Sequence, residues 1–69
     1  MSETIRVNGA TRPFLGATIR DLLVAERIDP EARFVAVAVN GTVVPRRQWP
    51  SEALSAGDQV EIVRPAPGG

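Results

Sequence analysis

The sequence closes on Arg64-Pro65-Ala66-Pro67-Gly68-Gly69, and its most chemically distinctive group is the carboxylate of Gly69. A C-terminal carboxyl is ionised at neutral pH and is a poor acyl donor. Attack on a nucleotide phosphate would convert it into an acyl-adenylate, which is a competent one. That step needs an enzyme supplying ATP, magnesium and phosphate-binding groups, because this chain has no glycine-rich phosphate loop. The residues before the terminus suit entry into a narrow channel. Gly68 and Gly69 permit close backbone approach and almost any φ/ψ, while Pro65 and Pro67 keep the stem extended. From Arg64 onward the chain reaches roughly 20 Å. Two readings follow: a frayed end without a role, or a reactive terminus in which Gly69 would carry the acyl group on a stem of Gly68, Pro67 and Ala66 required for activation.

Other chemistries are poorly supplied. Histidine, cysteine, lysine and tyrosine are all missing, which removes the commonest general bases, thiol and amine nucleophiles and phenolic acids. Ser2, Ser51 and Ser55 have no histidine or lysine to activate them. Paired carboxylates need a dry cleft to be tuned, and so short a chain has little room for one. The chain is expected to be no enzyme, to bind no metal or cofactor, and to present a group to other proteins. Eight arginines balance eight acidic residues, so the clustered positive charge needed for nucleic acid is lacking. The Arg46-Arg47 pair reads as solvated surface. No apolar run approaches the ~20 residues of a membrane span, and "MSETIRVNG" lacks a signal pattern. The expectation is a cytoplasmic protein, monomeric on its own, with no nucleic-acid or membrane contact.

The elements that must hold this tail can be read from periodicity. A hydrophobic content of 43% suffices for one small core, giving a domain over residues 1–64 and a flexible tail over 65–69. "ETIRVNG" (3–9) alternates as a half-buried strand, and Asn8-Gly9 supplies a tight hairpin turn. A second strand follows around 11–16, at an edge because Pro13 cannot donate to a ladder. "GATIRDLLVAERI" (16–28) reads as a helix with Thr18 as N-cap and Asp21 completing an approximate capping box. Ile19, Leu22, Leu23 and Ile28 form its apolar stripe, and Asp29-Pro30 is expected to end it.

"FVAVAVNG" (34–41) is the most strand-like run, with Val35, Val37 and Val39 on one face and Phe34, Ala36 and Ala38 on the other. The thin alanine face leaves room for a docking partner. Asn40-Gly41 turns into a short strand at 42–44. Residues 46–54 form an irregular connection in which Trp49 plugs the core at the sheet edge. "QVEIVR" (59–64) is the last strand, with Val60 and Ile62 inward. The order β-β-α-β-β-β, with one helix covering one face of a mixed sheet of four to five strands, is an α+β arrangement of the β-grasp, ubiquitin-like type.

"VNG" (7–9), "GATIRDLL" (16–23), "VAVAVNGTVVPRRQW" (35–49), "LSAGDQVEIV" (54–63) and the closing "GG" together resemble the ThiS family of ubiquitin-like sulfur carriers in thiamine (thiazole) biosynthesis. The resemblance covers nearly the whole chain, and the "VNG-x-VVPR-x-x-W" block is its more specific half. It implies adenylation of Gly69 by a ubiquitin-activating-like ThiF enzyme, conversion to a thiocarboxylate, and delivery of the sulfur to a ThiG-type thiazole synthase. ATP would be used by the activating partner. By analogy with the exposed sheet face of ubiquitin-like proteins, Ala36, Ala38 and Val63 are candidates for the docking face, although they read equally well as a small apolar surface. The proline-rich "RPAP" departs from the family's usual aliphatic tail. A MoaD-like carrier for molybdopterin synthesis shares the fold and the terminal Gly-Gly, but runs longer and ends nearer "PPVAGG". A TGS-like interaction module resembles "VNG" and "AGDQVEIV", with no reason to stop at Gly-Gly.

Overall fold

The computed structural model describes residues 3–14 and 16–64. Two hairpins and a final strand make one five-stranded sheet. Strand β1 (Thr4–Val7) turns at Asn8-Gly9 into β2 (Ala10–Pro13). Both turn residues have positive φ, +50° and +82°, which is the two-residue geometry that matches strand twist. Helix α1 (Ile19–Ala25) follows, then β3 (Ala36–Val39), a second Asn-Gly turn with φ of +52° and +84°, and β4 (Thr42–Val44). A 3-10 turn (Arg46–Gln48) leads to β5 (Gln59–Val63). Sheet order is β2-β1-β5-β3-β4. The first and last strands therefore lie parallel at the centre, and every other pairing is antiparallel. This is the expected arrangement, with Pro13 on the edge strand.

Alternation along β1 and β5 sends Ile5, Val7, Val60 and Ile62 inward. They meet Ile19, Leu22 and Leu23 of α1, together with Val35, Val37, Leu54 and Trp49. Trp49 is 2% exposed, and its indole N–H donates to the Val44 carbonyl at 2.9 Å. The expected plug is in place with its polar end satisfied.

Helix α1 is shorter than its pattern predicts. At the start, Thr18 and Asp21 make both arms of a capping box, and the Ile19 and Arg20 amides donate to the Glu52 and Trp49 carbonyls. All four N-terminal amides thus have partners. At the other end, Arg27 adopts φ +61°, its N–H donates to the Val24 carbonyl and that of Ile28 to the Leu23 carbonyl. This is a Schellman closure with arginine in the left-handed position that glycine usually takes. It stops the helix before Asp29-Pro30 is reached, and it folds Ile28 back against the core.

Arg46 also departs from expectation. Its guanidinium donates to the Pro30 and Ala32 carbonyls and sits over Trp49, so it straps the segment after the helix to the 3-10 turn rather than standing in solvent. Arg47 is exposed. Among the described residues no helix is long and apolar enough to cross a membrane.

Candidate functional site at the end of the last strand

The central strand β5 leads directly to the tail. Its register is Ala36–Val63, Val37–Ile62, Ala38–Glu61 and Val39–Val60 against β3, and Arg6–Gln59 and Val7–Val60 against β1. β1 thus stops pairing three residues before β5 does. At that point Asn8 takes over with its side chain. Its Oδ1 accepts from the Ile62 N–H at 2.7 Å, and its Nδ2 donates to the Ile62 carbonyl at 3.2 Å. Asn40 does the equivalent at the beginning of β5, where its Oδ1 accepts from the Gln59 N–H at 2.9 Å and its Nδ2 donates to Asp58 at 3.0 Å. Each Asn-Gly turn therefore clamps one end of the strand that carries the terminus.

The pleat decides what the outer face offers. Val37, Val60 and Ile62 point to the helix, so Ala36, Ala38 and Val63 share the opposite side with Val43, which pairs with Ala38. Ala36 is exposed, Ala38 is half-buried, and Val63 and Val43 are 63% and 69% exposed. The three predicted docking residues lie on one surface, with Ala36 and Val63 directly opposed. Phe34 lies at the same end of the sheet, two residues before Ala36. It is 78% exposed and adopts φ +65°, an unfavourable conformation for a bulky side chain. A shallow groove of about 490 Å³ runs between Arg6, Asn8 and Gly9 on one side and Gln59, Glu61 and Val63 on the other.

Gly69, Gly68, Pro67 and Ala66 lie outside the described residues; the structure reaches Arg64. Sequence reasoning read Asn8 and Asn40 only as turn formers, because their bonds are made to a strand remote in the chain. Val43 and the special backbone of Phe34 were missed too. A large apolar residue just before a β-branched strand was their only available signal.

Comparison with known proteins decides the family. The ThiS family model matches residues 5–69. The chain belongs to the ThiS family. It is 35% identical over 54 residues to the sulfur carrier protein ThiS of Escherichia coli (strain K12), an alignment covering 78% of this chain and 79% of that protein. The fold superposes on the crystal structure of the thiamine biosynthesis protein ThiS from Geobacter metallireducens with a TM-score of 0.76. Identity there is 29%, with 96% of this chain and 99% of that one covered. A solution NMR structure of a thiamine biosynthesis protein from the same organism gives 0.74 at 28% identity, covering 96% of this chain and 87% of that one. The expected ThiS family, its β-grasp fold and its sulfur-carrier role in thiamine biosynthesis are met.

Proposed function

We infer that this ThiS-family chain carries sulfur for thiazole formation on the carboxyl carbon of Gly69. The observation that carries the reading is the family match running through residue 69, on a chain whose last strand is central and clamped at both ends. An adenylyltransferase of the ThiF kind activates the Gly69 carboxylate with ATP, forming a mixed anhydride with AMP and releasing pyrophosphate. A sulfur donor then displaces AMP to leave a thiocarboxylate, and a thiazole synthase of the ThiG kind consumes the sulfur. The protein acts as carrier and co-substrate, and the partners perform the catalysis. Gly68, Pro67 and Ala66 supply the thin stem that enters their channels.

Ala36, Ala38 and Val63 form the docking face, extended by Val43 and Phe34. The reading is supported by the placement of Ala36, Ala38, Val43 and Val63 on one side of the sheet, and by the exposure of Phe34 just before β3. A cytoplasmic location is part of the same reading, supported by the ATP that the activating enzyme would use.

Intact mass of the protein purified under thiol-protecting conditions tests the reading. The expected result is a species heavier by sulfur in place of one oxygen, absent when Gly69 is deleted. Deletion of Gly69 is also expected to abolish adenylation while leaving the melting temperature unchanged. A truncated chain that is still adenylated would sink the proposal.

A further inference from the structure

We propose that Asn8 is a positioning residue for activation of the C-terminus, its side-chain amide fixing the backbone of Ile62 and with it the point where the chain leaves the sheet. The inference rests on the carrier reading above and concerns how the sheet aims the tail.

Along a strand, the N–H and C=O of one residue point to the same neighbour, and successive residues point to opposite neighbours. The Val60 carbonyl accepts from the Asn8 N–H at 2.9 Å on the β1 flank. Ile62, two residues on, therefore turns its own N–H and carbonyl to that flank, where β1 has already left for the Asn8-Gly9 turn. The Asn8 amide meets both groups. On the other flank Val63 is matched with Ala36. With Asn8 in place, β5 is held from both sides to within two residues of Arg64.

Without that amide, Ile62 would exchange both bonds for water in the groove, and the end of β5 would be held from the β3 side alone. Residues released from the sheet add to the length of chain between the fold and the carboxylate, so the carboxylate is presented at a lower effective concentration. They must also be re-ordered on binding. The loss falls on binding of the carrier, and chemistry on the seated carboxylate is untouched, so KM rises while kcat stays level.

Asn40 provides a matched control. It occupies the same turn position with nearly the same φ and also makes two side-chain bonds, but at the beginning of β5. Asn8→Gly and Asn40→Gly keep the positive φ and delete only the amide. The experiment measures ATP–pyrophosphate exchange by the activating enzyme as a function of full-length carrier concentration, alongside amide hydrogen exchange of each carrier. Asn8→Gly is expected to raise KM about 10-fold, as for an interaction of ordinary hydrogen-bond strength, and to accelerate exchange at Ile62 selectively. Asn40→Gly is expected to leave KM within about 2-fold, being remote from the tail. Asn8→Asp, which keeps the acceptor for Ile62 N–H and loses the donor, falls between; it also serves if the glycine variant does not fold. An unchanged KM in the Asn8 variants, or an equal rise in Asn40→Gly, overturns the positioning role and leaves the carrier reading intact. A wild-type chain that is not activated at all overturns both.

Discussion

The guanidinium of Arg46 lies 4.8 Å from the centre of the Trp49 ring, over its face. The same group donates to the Pro30 and Ala32 carbonyls, so one side chain ties together the segment after the helix, the 3-10 turn and the largest core residue. A half-buried cation in this setting combines a cation–π contact with two charge-assisted hydrogen bonds.

Arg46→Ala is therefore expected to cost about 2 kcal/mol. In a domain of this size that lowers the melting temperature by roughly 8–16 °C. Arg47→Ala, which removes an exposed neighbour, should change it by less than about 0.5 kcal/mol. Thermal unfolding of the two variants side by side checks this, and equal effects would refute the strap.

Arg27 closes the helix from the left-handed region, at φ +61°. Glycine reaches that region without the Cβ penalty. Arg27→Gly should stabilise the fold by about 0.5–1 kcal/mol, read as a higher urea midpoint with an unchanged slope. A lower midpoint would mean that the arginine side chain itself contributes at this position.

Phe34 joins exposure to an unfavourable backbone, and such strain persists where function retains it. Phe34→Gly is expected to gain about 1 kcal/mol of stability. It should weaken binding to the activating enzyme roughly 10-fold, in line with loss of an aromatic anchor. Val63→Asp, a charge placed on the same face beside Ala36, should weaken binding at least as much without unfolding the chain. Calorimetric titration of both variants checks this. Full affinity in both would remove this face from the interface.

Much of the molecule was legible beforehand because its signals are local. Alternation in residues 3–9 and 59–64 marked the central strands, and two Asn-Gly pairs marked the hairpins. The Thr18-x-x-Asp21 box marked the start of the helix to the residue. The end of the helix was misread. A proline two residues past Ile28 is a visible stop, whereas an arginine in the left-handed position looks in sequence like any other helical arginine. The Arg46-Arg47 pair was misjudged for a related reason: its two members differ only in what lies near them, and Pro30 and Ala32 are brought to Arg46 by the fold.

The candidate site divides along the same line. Sequence by itself determined the sheet-and-helix composition, because backbone conformational preference and side-chain periodicity are written within a few residues, and its motifs carried the resemblance to the family. Tertiary structure alone decided that β1 stops short of β5 and that the Asn8 amide completes the missing pairing at Ile62. It also gathered Ala36, Val43 and Val63 onto one face. Those relations join residues far apart in the chain, and strand register, set by burying Val7, Val37, Val60 and Ile62 together, is what brings them into contact.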